Sequence, residues 1–149
     1  MKAAREKGAK FFTVEEANRM LPLVRAIVTD LVQLSGDVSD RRHRLNHLLS
    51  GRELESRDVY SDELADAERG LRRDTLRLRE YIEELRQLGV EARGDEGQVD
   101  FPATMDGRRV FLCWKLGEDE VQHWHEVDAG YAGRQPLTDR AIGVVGSRQ

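Results

Sequence analysis

The sequence has a single cysteine, Cys113, in 149 residues. That excludes an internal disulfide framework and suits a reducing compartment, so a cytoplasmic protein is expected. Long apolar runs are missing as well. A membrane-spanning helix needs about 20 predominantly apolar residues, and the longest runs here are a few residues. The basic opening MKAAREKGAK is followed by no apolar segment, so it does not read as a signal peptide. Nor is there a surplus of one charge. Twenty-four Lys and Arg stand against 28 Asp and Glu, for a net charge of −4. The signs are mixed along the chain, whereas nucleic acid calls for a clustered basic face. Neither nucleic acid nor a membrane is an expected partner. The sequence also lacks a phosphate loop, a dinucleotide fingerprint and a CxxC pair.

What the chain does have is helical periodicity. Thr13 and Glu16 have the spacing of a capping box, with Phe12 placed to staple onto the first turns. Apolar residues then recur at Val14, Ala17, Leu21, Val24, Ile27/Val28, Leu31 and Leu34, and continue through Val38, Leu45 and Leu48. This 3.6-residue stripe predicts a helix over residues 13–50, bent near the interior Pro22. The stretch SGRELESRDVYSD breaks the period and reads as a loop. Ser61 is then expected to cap a second helix over 61–88, with its stripe at Leu64, Leu71, Leu78, Tyr81/Ile82, Leu85 and Leu88. Gly89 ends it as a C′ residue. The Arg- and Glu-rich opposite faces read as solvated surface.

After Val90 the period changes to two. QVDFP reads as a short segment ended by Pro102, and Asp106-Gly107 as a tight hairpin turn. RRVFLCWK is the strongest strand, with Val110, Leu112 and Trp114 on one face and Phe111, Cys113 and Lys115 on the other. VQHWHEV alternates again, with His123 and His125 on one side and Trp124 and Glu126 on the other. The expected fold is α+β and mainly α: a long antiparallel helical hairpin packed with a small C-terminal antiparallel β-meander. The expected organisation is a flexible N-terminal tail over residues 1–12, the hairpin over 13–88, and a β module over 89–137 packed on it as one domain. A loose tail follows over 138–149.

FTVEEANRMLPLVR, together with GQVDFPATMDGRRVFLCWKLGEDEVQHWHEVDAGYAGRQPL, resembles a bacterial family known as domain of unknown function 2203. The likeness runs from about Phe12 to Leu137. It is most specific at Phe12, Thr13, Glu16, Ala17, Asn18, Leu21 and Pro22, and at Asp100-Phe101-Pro102, Gly107-Arg108 and Leu112-Cys113-Trp114. Gly117-Glu118, Trp124-His125 and the Gly130…Arg134 turn complete it. The resemblance implies a two-part helical and β protein and carries no activity.

The leading candidate site is a metal centre formed by His125, His123, Glu126 and Glu118, with Cys113 as an additional ligand. A His-x-His pair on a strand places both imidazoles on one face about 7 Å apart, close enough to share an ion. A carboxylate would complete three ligands and leave one position open, which suits a metal-binding protein or a metalloenzyme. Zinc or iron fits this donor set, ahead of haem on Cys113. The bland alternative makes His123 solvated and His125 a core residue. By the metal reading, His125→Ala should cost little stability and Trp124→Ala roughly 3–5 kcal/mol. Glu15 or Asn18, at the helix start, would steady a histidine.

Two further candidates each have a plainer reading. His43 and His47 stand at i,i+4 on the first helix, a spacing that suits zinc. They lie roughly 35–40 Å along the helix from its start, too far to join the first site, and no third ligand is evident. Arg108 and Arg134 could bind an anion, although nearby carboxylates make them better read as braces. The competing function is non-catalytic: a helical dimerisation or interaction module with a purely structural sheet. A homodimer through the helices is expected on either reading, because strands reach only about 20 Å while the helices reach roughly 40–55 Å.

Overall fold

A computed structural model describes residues 10–51 and 57–138. The predicted C-terminal tail beyond Thr138 and most of the predicted N-terminal tail lie outside the described residues. Helix α1 spans Val14–Gly51 and α2 spans Arg57–Gln87. They run antiparallel: Arg41 Nε meets Asp74 Oδ2 at 2.7 Å midway along the pair, while Ala17–Val28 and Leu85 share one core near the other end.

The capping box forms as the spacing requires. Glu16 N–H donates to Thr13 Oγ1 and Thr13 N–H to Glu16 Oε1, each at 3.0 Å. Phe12 is not part of a tail. It is buried, donates its N–H to the Pro102 carbonyl at 2.7 Å, and meets the Phe101 ring edge-on at 5.2 Å. The second helix begins four residues before its predicted start, so Ser61 lies inside it and caps nothing. Asp58, Val59 and Tyr60 include no Gly or Pro, and extending an existing helix through such residues costs little. At its far end the Gly89 N–H bonds to Arg86 O and the Val90 N–H to Leu85 O, both at 2.9 Å. This is a Schellman motif with Gly89 at φ +89°, and the buried Leu85 and Val90 supply its apolar contact.

The sheet has five antiparallel strands in sequential order. They are β1 (Glu91–Arg93), β2 (Gln98–Met105), β3 (Arg108–Lys115), β4 (His123–Glu126) and β5 (Gln135–Pro136). The β2–β3 turn is Asp106-Gly107, with φ of 55° and 79°, as the sequence predicts. Pro102 does not end β2, which runs on to Met105. Its carbonyl accepts from Phe12 rather than from β3, so its backbone edge faces away from β3. β1 pairs no further along β2 than Asp100. The missing donor of Pro102 therefore sits where no ladder bond is needed.

The strands divide their side chains as the alternation predicts. Val99, Phe101, Ala103, Met105, Val110, Leu112, Trp114 and Trp124 face α1 and join Ala17, Leu21, Val24, Val28 and Leu31 in a single core. Asn18 on α1 accepts the Val121 N–H at 2.7 Å, tying the approach to β4 onto the helix. Further along the hairpin Val38, Leu48 and Leu64 are also buried. Each helix therefore covers part of the other's stripe without help from the sheet.

Candidate functional site

The opposite face of the sheet would ordinarily be polar and wet. Here three chemistry-bearing residues are buried on it. Register places Asp100 beside Cys113 and Cys113 beside His123, with Phe111 beside His125. Asp100, Cys113 and His125 are 1%, 0% and 1% exposed. One donor atom from each lies within 4.8 Å of the others, and among the described residues this is the one such group of metal-ligating side chains.

The hydrogen bonds constrain the imidazole. His125 Nδ1 lies 2.7 Å from the Glu126 carbonyl oxygen. A carbonyl only accepts, so Nδ1 carries the proton. Nε2 faces Asp100 Oδ1 at 3.0 Å; a carboxylate oxygen also accepts, so a proton joins these two atoms in the absence of an ion, and a bound cation would take its place. The other carboxylate oxygen, Oδ2, accepts from Arg93 Nε at 2.8 Å. Cys113 completes the group. Burial, reinforced by the negative charge of Asp100, pushes its thiol from an ordinary 9.0 up to about 12. A buried thiol of this kind is inert as a nucleophile, although the same sulfur can ligate once a cation replaces its proton.

The remaining predicted site residues go elsewhere. His123 shares the outer face with His125 but belongs to a second network. Arg134 Nη2 donates to His123 Nδ1 at 2.6 Å and to both Glu118 oxygens at 3.0 and 2.7 Å. Glu118 is further engaged by the Lys115 N–H at 2.9 Å. Glu126 lies on the other side of its strand, where Arg108 grips both of its oxygens at 3.2 and 2.6 Å. That contact holds the Glu126 carboxyl below the usual carboxylate range. The structure thus does not gather His123, Glu118 and Glu126 around His125. Alternation turns Glu126 away, and Arg134 occupies the other two. Both candidate anion-binding arginines hold carboxylates of the chain itself, Arg108 that of Glu126 and Arg134 that of Glu118, while the buried Arg134 Nε has no hydrogen-bond partner among the described residues.

His43 and His47 are exposed on the distal half of α1. A groove of about 600 Å³ opens nearby between the helices, lined by Asp37, Asp40, Arg41, Arg44 and Glu63. It is remote from the buried group on the sheet. Asn18 and Glu15 do not steady a histidine: Asn18 holds Val121, and Glu15 is exposed.

Asp100 is the residue that sequence reasoning passed over as a ligand. It lies 25 positions from His125, and only the register of β2 on β3 and of β3 on β4 brings the two together. One signal was present. Asp100 interrupts the apolar run of QVDFP, and a carboxylate in a strand with apolar neighbours needs a partner inside the fold.

A segment from Val127 to Arg134 passes over this face before β5 pairs with β4. Between it and the sheet lies a pocket of about 470 Å³ lined by Arg93, Gln98, Asp100, His125, Val127, Asp128, Ala129, Gly130 and Tyr131. Among the described residues, no helix is long and apolar enough to cross a membrane.

This chain belongs to the family described as Uncharacterized conserved protein (DUF2203), which matches it over residues 10–137. Comparison with curated proteins and with solved structures finds no match.

Proposed function

We propose that the protein binds a divalent transition-metal ion through Asp100, Cys113 and His125. The observation that carries this reading is the state of His125. Its Nδ1 proton goes to a backbone carbonyl, and its Nε2 converges with a carboxylate and a sulfur within 4.8 Å. Ligating histidines usually have this arrangement, in which the outer nitrogen's bond fixes the tautomer and aims the inner one. Arg93 does for Asp100 what the carbonyl does for His125: it orients the carboxylate from behind. A nitrogen, sulfur and oxygen donor set suits zinc or ferrous iron. Near-complete burial of the three side chains favours retention of an ion over rapid exchange.

Metal analysis of untagged protein, joined to cobalt substitution, tests the reading. One equivalent of metal per chain is expected, with a thiolate-to-cobalt charge-transfer absorption that Cys113→Ser abolishes. Both Asp100→Asn and His125→Ala should lose the ion. A folded protein that takes up neither zinc, iron nor cobalt would reduce the group to a buried hydrogen-bonded pair of His125 and the Arg93-held Asp100.

The helical hairpin supports a second reading, pairing with another copy of the chain. Leu23 and Leu76 are 52% and 54% exposed, large apolar side chains on helices whose other apolar positions are mostly covered. Two hairpins packed together would form a four-helix bundle. Sedimentation equilibrium at micromolar concentration should give twice the 17.0 kDa chain mass, and a strict monomer would end this reading.

A further inference from the structure

The pocket beside the buried group contains donors that the fold leaves unspent. Arg93 lines it, and among the described residues only its Nε has a carboxylate partner, Asp100. Its guanidinium also lies over the Phe111 ring at 5.1 Å. The group is held by an ion pair at one edge and an aromatic ring at one face, and its two terminal nitrogens, on a side chain 43% exposed, make no hydrogen bond among the described residues. A pre-oriented guanidinium fork matches the two oxygens of a carboxylate or phosphate. On the opposite wall the Tyr131 ring is held in place by Arg134, stacked over it at 4.6 Å, and by Lys115 at 5.3 Å. Gln98 brings an amide and Tyr131 a hydroxyl, while Val127 and Ala129 supply apolar surface.

We infer that this pocket is a receptor for a small monocarboxylate with a short aliphatic chain, its carboxylate held by Arg93 and its chain lying against Val127 and Ala129. The carboxylates of Asp100 and Asp128 line the same space. They oppose any anion, a phosphate dianion about twice as strongly as a monoanion, so of the two the singly charged carboxylate is the better tolerated at the Arg93 fork. The volume of about 470 Å³ is within the range of small-molecule sites. The pocket adjoins the proposed metal group, but the inference rests on Arg93 and not on a bound ion.

The test is a nitrogen-15 amide titration of the full chain with butyrate and, separately, with inorganic phosphate, at constant ionic strength. It is run on chelator-treated protein, so that its outcome is independent of metal analysis. Butyrate should move the amides of Arg93, Gln98 and Gly130 saturably and bind several-fold more tightly than phosphate. Arg93→Gln should weaken butyrate about tenfold or more, the equivalent of one charge-assisted hydrogen bond. Arg93 also pairs with a buried carboxylate, so Arg93→Lys and Val127→Trp accompany it. The first keeps a cation beside Asp100 without the planar fork, the second crowds the pocket without touching Arg93, and both should weaken butyrate. The inference is overturned if butyrate gives no saturable shift, if phosphate binds as tightly, or if folded variants bind butyrate like the wild type.

Discussion

Replacing His125 by alanine is expected to cost about 3–5 kcal/mol of stability, as much as removing Trp124. This reverses the expectation from the sequence, where His125 was a ligand whose loss would be mild. The magnitude follows from what the ring touches. Its Nε2 is a partner of Asp100 Oδ1 at 3.0 Å, and Asp100 is 1% exposed. Truncation leaves that oxygen buried and unpaired, at about 1–3 kcal/mol. The ring also fills space against Phe111, with centroids 5.6 Å apart, and emptying a buried site of that size adds about 2 kcal/mol. Urea unfolding of metal-free protein at pH 7 reads the sum, provided the m-value is unchanged. The attribution is checked by a double-mutant cycle with Asp100→Ala. Without the carboxylate, His125→Ala should cost about 1.5–2 kcal/mol less than in the wild type. Additivity within about 0.5 kcal/mol, or a His125→Ala variant as stable as the wild type, would refute the reasoning. Added zinc should raise the wild-type midpoint by mass action and leave that of His125→Ala unmoved.

The Cys113 thiol supplies a pH prediction whose sign is fixed. Below its ordinary value of 9.0 the thiol is protonated in both states; between there and about 12 only the unfolded chain releases the proton. Stability of metal-free protein should therefore fall across that window by about 1.4 kcal/mol per pH unit on this account, and the difference between wild type and Cys113→Ala in alkaline unfolding curves measures it. Gly89→Ala forces a side chain into φ +89°, and should cost about 1–2 kcal/mol in urea unfolding. Thr13→Ala removes one arm of the capping box and should cost about 1 kcal/mol by the same assay.

The helices and the strand alternation were legible because both are local. Thr13 and Glu16 stand three residues apart, and Gly89 stops α2 by its own backbone freedom, so the sequence states these features without reference to anything distant. The errors in the fold have local causes too. Ser61 looked like a cap because an apolar stripe begins after it, but nothing in Asp58-Val59-Tyr60 prevents the helix from starting earlier. Pro102 looked like a strand end because a proline in a central strand would break a ladder. The edge it occupies has no partner beyond Asp100, and only the short length of β1 reveals that.

The site was legible only in part, and the reason is the way a sheet assembles chemistry. Alternation along β4 put His123 and His125 on one face and Glu126 on the other, and along β3 it put Cys113 on a face that sequence alone leaves unassigned to core or solvent. What alternation cannot say is which residue of another strand stands opposite. Asp100 reaches His125 through two registers, β2 on β3 and β3 on β4, and a shift of one residue in either would turn its side chain to the far face. The two histidines do share the outer face of β4, as alternation predicts, but their partners differ. Arg134 returns on the segment before β5 and takes His123 together with Glu118, which leaves His125 to Asp100 and Cys113. The two histidines thus share a face and not a network. The chemistry of His125 is set by an aspartate whose one local mark was being a carboxylate between Val99 and Phe101.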